Sequence, residues 1–153
     1  MPAEASPLKV TIQDNVKDAM RAKDKDRLNV LRQITASIKQ VEVDNRTDLS
    51  DDEIIVILTK MTKQRREALD QYEKAGRDDL ASIEKAELII IKEFLPEALS
   101  EAEIAEAVQA AISEAGASSI KDMGAVMNVL RPKIQGRADM SAVSGQVKAA
   151  LSN

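Results

Sequence analysis

Hydrophobic residues recur every three or four positions along most of this chain, which is the spacing of one face of an α-helix. The first run predicts a helix over about 8–21, and a second run, after a short charged break, predicts a helix over about 25–45. No alternation of Val, Ile and Thr flanked by hairpin signals occurs, so we expect no strands. The apolar positions are Leu8, Ile12, Val16, Ala19 and Met20, then Leu28, Leu31, Ile34, Ile38 and Val41.

A third helix is marked by its start signal. Ser50 with Glu53 three residues later forms a capping-box motif, in which each residue satisfies a backbone N–H of the other. We expect this helix to end near Ala75, with Gly76 in the left-handed conformation after the last turn. Its apolar stripe consists of Ile54, Ile57, Leu58, Met61, Ala68, Leu69 and Tyr72.

The fourth helix precedes a break in the pattern. Asp78 or Asp79 is expected to cap its start. It should end at Leu95, because Pro96 disfavours helical geometry in the residue before it. The break at Pro96 is also the predicted domain boundary. The apolar positions of this helix are Leu80, Ile83, Ile90, Ile91 and Phe94.

The two predicted domains are both helical and cover residues 1–95 and 97–153. In the second, Ser100 and Glu103 form another capping box, and the helix that they start should end at Gly116. The fold class is therefore all-α, with about seven helices in two small bundles. The apolar face of this fifth helix carries Ile104, Val108, Ala111 and Ile112.

The segment 116–139 contains the last two helix starts. Ser119 with Asp122 reads as a capping box for the sixth helix. Pro132 is expected to break the ladder of helical hydrogen bonds, since it has no N–H. Asp139 should cap the seventh helix. The apolar positions are Met123, Met127 and Leu130, then Met140, Val143, Val147, Ala150 and Leu151.

Two small residues lie together at the start of the sixth helix. Gly124 and Ala125 leave room for close approach, and glycine inside a helix costs roughly 1 kcal/mol relative to alanine. Such a glycine has either a packing reason within the domain or a functional reason, such as docking of a backbone or a ligand. We favour packing.

Composition narrows the possible chemistry. The 153 residues include no cysteine and no histidine, which removes disulfides, thiolate nucleophiles and the commonest general base and metal ligand. With Tyr72 and Phe94 as the only aromatic residues, modules that stack bases on several rings are excluded. We expect no catalytic residues, no metal and no cofactor. Ser119 near Lys121 is better explained as a cap than as a nucleophile.

Charge and hydropathy limit the possible locations and partners. The net charge is -4, with 17 basic against 19 acidic residues before Pro96 and 5 against 7 after it, so neither half is a basic tail. Any RNA contact must come from local patches. Residues 1–8 lack a basic region followed by an apolar run, and the longest apolar run, Leu88–Ile91, is too short to cross a bilayer. We expect a cytoplasmic protein without a membrane partner.

One cation interrupts an apolar stripe. At about 100° per residue, Arg65 falls between Met61 and Tyr72 on the apolar face of the third helix. A guanidinium in such a place needs a carboxylate partner. We expect that partner to be Glu87, which interrupts the apolar stripe of the fourth helix in the same way.

Two other groups of cations are candidate RNA contacts. Lys60, Lys63 and Arg66 form a basic face on the third helix, but carboxylates at i, i+4 indicate a solvated, self-paired surface rather than an RNA site. The second group has fewer acidic residues around it and lies around a bend at Gly136. Backbone N–H groups at this bend could bind a phosphate, unless the Asp139 carboxylate accepts their hydrogen bonds instead. It comprises Lys121, Arg131, Lys133, Arg137 and Lys148.

These segments resemble a known family. KDMG at 121–124 and GRAD at 136–139 look like the tail domain at the end of the GatB subunit of the Asp/Glu-tRNA amidotransferase. KQRRE at 63–67, YEKAGRDDL at 72–80 and EFLP at 93–96 are similar to the stand-alone YqeY proteins, which carry that tail on an extra helical domain. The resemblance covers nearly the whole chain.

The resemblance implies a setting of tRNA-dependent amide transfer, a carbon–nitrogen ligase reaction in which glutamine donates nitrogen to a carboxyl group on misacylated tRNA. The catalytic and nucleotide-handling parts of GatB have no counterpart here. We therefore expect an accessory protein that binds tRNA, an amidotransferase or another aminoacyl-tRNA synthesis protein, and no DNA. The alternative is a helical adaptor with no RNA role that docks a protein on Gly124 and Ala125.

Overall fold

The computed structural model describes residues 6–152, and over that range the chain is helical without strands. The predicted all-α fold is confirmed. A single 3₁₀ turn, Ile120–Asp122, precedes the sixth helix. The seven helices are α1 Pro7–Ala22, α2 Lys25–Asn45, α3 Asp51–Lys74, α4 Asp78–Lys92, α5 Glu101–Ala115, α6 Met123–Ile134 and α7 Met140–Ser152.

Most helix starts are fixed by side-chain caps. The predicted capping boxes of α3 and α5 are both present, with Ser50 paired to Glu53 and Ser100 paired to Glu103. In α5 the Ser100 N–H and hydroxyl hold the pKa of the Glu103 carboxyl below its usual range. Asp122 Oδ2 accepts the Ser119 N–H at 3.2 Å, at the start of the 3₁₀ turn. These contacts satisfy N–H groups that the first helical turn leaves without partners.

The start and end of α4 differ from the prediction. The N-cap is Arg77, which makes no side-chain cap bond, and neither Asp78 nor Asp79 caps the helix. Instead Asp79 Oδ2 lies 3.1 Å from the Arg77 guanidinium, so its carboxylate is committed to that ion pair. The helix ends at Lys92, three residues before Leu95, because the last residues tighten into turns.

Pro132 interrupts the hydrogen-bond ladder of the sixth helix, as predicted, but it does not end the helix. It lies inside α6, which continues to Ile134. The cost is one missing N–H in the last turn, and the Gln135 N–H still donates to the Arg131 carbonyl at 2.9 Å. Pro132 is the tenth of the twelve residues of α6, so the missing bond affects only the end of the helix.

The first unit has an aliphatic core to which α1, α2, α3 and α4 all contribute. Met20 and Ile83, both assigned to apolar stripes from the sequence, are outside it and are each 53% exposed. Both lie at the edge of their stripes, where a small rotation of the helix moves a side chain to solvent. The buried residues are Ile12, Ala19, Val30, Leu31, Ile34, Ile38, Leu49, Ile54, Leu58, Met61, Ile91 and Phe94.

The second unit has a separate core between α5, α6 and α7. The Leu99 N–H donates to the Arg137 carbonyl at 2.8 Å, which ties the start of this unit to the segment between α6 and α7. Gly116 ends α5 with φ of 63°, the left-handed conformation that glycine adopts without strain. The buried residues are Val108, Ala111, Val126, Met127, Leu130, Ile134, Val143, Val147 and Leu151.

The chain divides into two compact units, Met1–Leu95 and Pro96–Asn153. The predicted domains were 1–95 and 97–153, of which residues 1–5 and 153 lie outside the described part. That each half folds alone is still a prediction. Within residues 6–152, no helix has the length and apolar character needed to cross a bilayer.

Candidate functional site

Three residues between α6 and α7 give the chain its bend. Gln135 leaves helical geometry, Gly136 adopts φ of 77°, and the Asp139 carboxylate accepts the Ser141 N–H at 3.0 Å at the start of α7. The predicted Asp139 cap is therefore present. Because it occupies an N–H at the start of α7, that helix start is a poorer phosphate site than the cations around it.

Two cations of the bend are held by the second unit itself. Lys133 Nζ lies 2.9 Å from Glu114 Oε2 on α5, with both side chains largely exposed. Arg137 is half-buried, and its Nε–H donates to the Glu97 carbonyl at 2.9 Å. Arg137 thus fixes the start of the unit, whereas an exposed pair such as Lys133 with Glu114 exchanges readily with other anions.

The remaining three predicted RNA contacts are exposed. Lys121, Arg131 and Lys148 have no ion pair within residues 6–152. Lys121 lies in the 3₁₀ turn before α6, and Arg131 lies near the end of α6. At 1.5 Å per residue they are separated by roughly 15 Å along the helix. Of the five predicted positions, Arg131, Lys133 and Arg137 therefore lie at or next to the bend, while Lys121 lies before α6 and Lys148 lies in the second half of α7.

The charge of the second unit is unevenly distributed along the sequence. From residue 123 onward Asp139 is the only acidic residue, while α5 carries four glutamates and no cation. The α6–α7 segment contains the four cations Arg131, Lys133, Arg137 and Lys148. A polyanion would meet little repulsion along this segment even though the chain as a whole is acidic.

The basic face of α3 is less self-paired than predicted. Lys60, Lys63 and Arg66 are exposed, and none lies in an ion pair within the described residues. The i, i+4 partners are present in sequence but extend into solvent instead. Such pairs contribute only about 0.3–0.5 kcal/mol, too little to hold two long side chains together.

Gly124 and Ala125 have no packing role inside the unit. Both are exposed, and a Cβ added at Gly124 would meet no atom within 4 Å. The favoured explanation from sequence, close packing, is therefore wrong. What is left is a small, open surface at the start of α6.

The structure confirms the predicted ion pair of Arg65 with Glu87. Two further partners were missed: Glu84 Oε2 lies 3.6 Å from the guanidinium, and Gln33 on α2 accepts one of its N–H groups. The Glu84 carboxylate could have been anticipated, since it precedes Glu87 by one helical turn on α4. The Gln33 contact depends on how α2 lies against α3, which periodicity does not specify.

The Arg65 cluster carries more negative than positive charge. The side chains of Arg65, Glu84 and Glu87 are only 20%, 14% and 12% exposed. Burial raises the pKa of the Glu87 carboxyl above its usual range, and Glu84 adds to the rise while Arg65 opposes it. One guanidinium thus compensates the two carboxylates incompletely.

Comparison with known proteins gives one family. The family model described as Yqey-like protein matches residues 9–151. An uncharacterised protein of Schizosaccharomyces pombe is 30% identical over 96 residues, which cover 62% of this chain and 78% of that protein. The sequence resemblance therefore extends through both units.

Other relatives are named for a mitochondrial trait. A Pyrenophora tritici-repentis protein named "Altered inheritance of mitochondria protein 41, mitochondrial" is 29% identical over 140 residues, or 90% of this chain and 77% of that protein. Its namesake in Eremothecium gossypii is 36% identical over 85 residues, 55% of this chain and 46% of that protein. Because these relatives are named mitochondrial, the cytoplasmic location of this chain stays a prediction.

Proposed function

The chain belongs to the Yqey-like protein family, and from that premise we propose that it is an accessory RNA-binding protein of tRNA-dependent amide transfer, without a catalytic site of its own. Its bend would contact the phosphate backbone of tRNA. A separate amidotransferase would perform the amide transfer itself, and this chain would bind the tRNA on which that enzyme acts.

The observation that carries the proposal is the excess of cations from α6 to α7, where four cations accompany one acidic residue, Asp139. Arg131 is exposed and has no ion pair among the described residues, and Lys133 is held only by an exposed carboxylate. Binding RNA would exchange that carboxylate for a phosphate, which costs little because exposed ion pairs contribute at most about 1 kcal/mol. The likeness of this part to the GatB tail supplies the choice of tRNA.

Salt dependence of tRNA binding tests the proposal. At about 50 mM salt the full chain should bind tRNA, and affinity should fall steeply as salt rises because counterions are released from phosphates. Arg131→Ala and Lys133→Ala should each lower the slope of log affinity against log salt by roughly one unit, without changing preference among tRNA sequences.

The matched control is Lys63→Ala, on the basic face of α3, which should leave the slope unchanged. Arg137→Ala is unsuitable, since its contact with the Glu97 carbonyl supports the fold. Absence of tRNA binding at about 50 mM salt, where phosphate contacts are strong, would refute the RNA role. An effect of Lys63→Ala larger than that of the two bend variants would refute the site.

A second candidate function is a protein adaptor, favoured by the open surface at Gly124 and Ala125. A helix-interior glycine whose Cβ would meet nothing is unexplained by the unit itself. A docked partner would explain it. Under this function, Gly124→Leu should abolish capture of a defined protein from lysate while tRNA binding is unchanged, and the reverse result favours the RNA role.

A further inference from the structure

A groove of about 410 Å³ lies between α1 and α2 in the first unit. This volume is in the range of small-molecule sites, which run from roughly 300 to 1,000 Å³. Lys9 and Gln13 line it from α1, and Arg32 and Lys39 line it from α2, with Ala36 between the last two. It has no part in the proposed RNA contact, which lies in the second unit.

One cation of the groove is already neutralised. Lys9 Nζ lies 2.9 Å from both carboxylate oxygens of Glu42. Glu42 Oε2 also accepts the Leu49 N–H at 3.1 Å. Burial raises the pKa of the Glu42 carboxyl, but the Lys9 ion pair and the Leu49 N–H together outweigh it and hold the pKa below its usual range. Glu42 therefore stays charged at neutral pH and cancels the charge of Lys9.

The other two cations are left uncompensated. Arg32 and Lys39 are exposed, and neither lies in an ion pair among residues 6–152. Seven residues separate them, which is two helical turns, so both face the same groove about 10 Å apart along the axis of α2. The groove thus carries a net positive charge in a chain whose net charge is -4.

The surface between these charges is small and mostly apolar, and the Thr35 hydroxyl is occupied by a hydrogen bond to the Arg32 carbonyl at 3.0 Å. The side chains of Thr35 and Ala36 lie on α2 between the two cations and line the groove. Long cationic side chains also lay their alkyl stems along such surfaces while their charged ends stay in water. The second groove of the first unit, beside Arg65, lacks this character, because its guanidinium is engaged by Glu84, Glu87 and Gln33.

We propose that the groove between α1 and α2 binds a small amphipathic organic anion. Its carboxylate, phosphate or sulfonate group lies between Arg32 and Lys39, and its apolar body lies over Ala36 and the lysine stems. The planar guanidinium of Arg32 donates two parallel hydrogen bonds to such a group, and Lys39 contributes a point charge.

Fluorescence titration of the full chain with anilinonaphthalene sulfonate tests this site. The wild-type protein should bind the dye with enhanced emission. Arg32→Gln and Lys39→Gln should each weaken binding about fivefold, because each removes one charge-assisted contact. Arg32→Lys should lose less than Arg32→Gln. Competition by octanoate or by phenyl phosphate distinguishes a carboxylate from a phosphate ligand, and displacement by either supports the proposal.

Two controls distinguish binding at this site from nonspecific binding of the dye. Lys92→Gln removes an exposed cation of α4 outside the groove and should leave dye binding unchanged. Uncharged phenylnaphthylamine should bind more weakly than the sulfonate to the wild-type protein and equally to all variants. Since the dye also binds partly unfolded states, all variants must show the wild-type melting temperature.

Three results would overturn the proposal. These are equal dye affinity in the wild type and both groove variants, equal binding of the uncharged analogue and the sulfonate, or an equal loss with Lys92→Gln. Binding of tRNA that depends on Arg32 and Lys39, with no dye binding, would also overturn it and assign these residues to RNA. The dye-binding results do not bear on the bend of the second unit, whose test uses different variants.

Discussion

At the Arg65 guanidinium, three helices of the first unit meet on one cation. Gln33 of α2 and two glutamates of α4 all direct oxygens at a side chain of α3. Removing the cation would leave two carboxylates facing each other in a place where water reaches them poorly. The loss of stability on removing one member of the cluster should therefore exceed the stabilisation that any single ion pair contributes.

Arg65→Ala should destabilise the protein by about 2 kcal/mol, somewhat less than for a fully buried pair because Arg65 retains some exposure. Arg66→Ala is the matched control, since Arg66 is exposed with no ion pair among the described residues and should change stability by less than about 0.5 kcal/mol. Urea unfolding of both variants measures the difference. Equal midpoints would mean that the cluster contributes nothing.

Glu87→Gln should raise stability at neutral pH. The pKa of the Glu87 carboxyl is raised in the folded state, so the fold prefers the neutral form, and the wild type loses stability as pH rises through that pKa. The amide mimics the neutral form at all pH values. The advantage should vanish below about pH 4, where glutamate is protonated even when unfolded.

Melting curves from acid to neutral pH measure the Glu87 effect, with Glu67→Gln on the exposed face of α3 as the control. A Glu87→Gln variant less stable than the wild type at neutral pH would show that the ion pair with Arg65 outweighs burial. An advantage that does not change with pH would show that it does not come from the ionisation of Glu87.

Among the elements, α6 departs furthest from the usual rules of helix composition. It has a glycine in its first turn and a proline in its last, and yet it contributes four buried residues to its unit. Its stability must come from packing of Val126, Met127, Leu130 and Ile134 rather than from intrinsic helix propensity.

Gly124→Ala should therefore stabilise the protein, by roughly 0.5–1 kcal/mol, because alanine has the higher helix propensity and its Cβ meets nothing within 4 Å. Gly136→Ala is the contrasting variant and should destabilise, since Gly136 has φ of 77°. Thermal melts compare the two. Destabilisation by Gly124→Ala would indicate that the glycine is required within the unit after all.

Sequence patterns predicted the helices well because helix starts depend on local chemistry. Ser50, Ser100 and Asp139 act through N–H groups within three residues, so their roles can be inferred without knowing the rest of the fold. The same reasoning failed at Asp79, where a neighbouring arginine competes for the carboxylate. At Pro132 the lost hydrogen bond was predictable, but the continuation of α6 to Ile134 was not.

The candidate sites were less predictable because they depend on contacts between helices. The Arg65–Glu87 pair was inferable, since each charge interrupts an apolar stripe and needs a partner. By contrast, the pairing of Lys133 with Glu114 and of Lys9 with Glu42 joins residues 19 and 33 positions apart. Which exposed cation is left without a partner follows from these pairings, and periodicity does not determine them.

For the whole molecule, the main feature is that two cores exist with no shared buried residue. The first contains residues from Ile12 to Phe94 and the second from Val108 to Leu151. If each core folds alone, as predicted, the chain should unfold in two steps rather than in one cooperative transition.

The fragment 97–153 should accordingly fold on its own into a helical unit. Its core is small and aliphatic, so its stability should be modest, as is usual for domains of about 60 residues. Far-ultraviolet circular dichroism should show a helical spectrum with a cooperative thermal transition. Arg137→Ala in this fragment should lower the melting temperature, because the Arg137 side chain donates to the Glu97 carbonyl. A fragment without helical signal or without a cooperative melt would show that the second unit depends on the first.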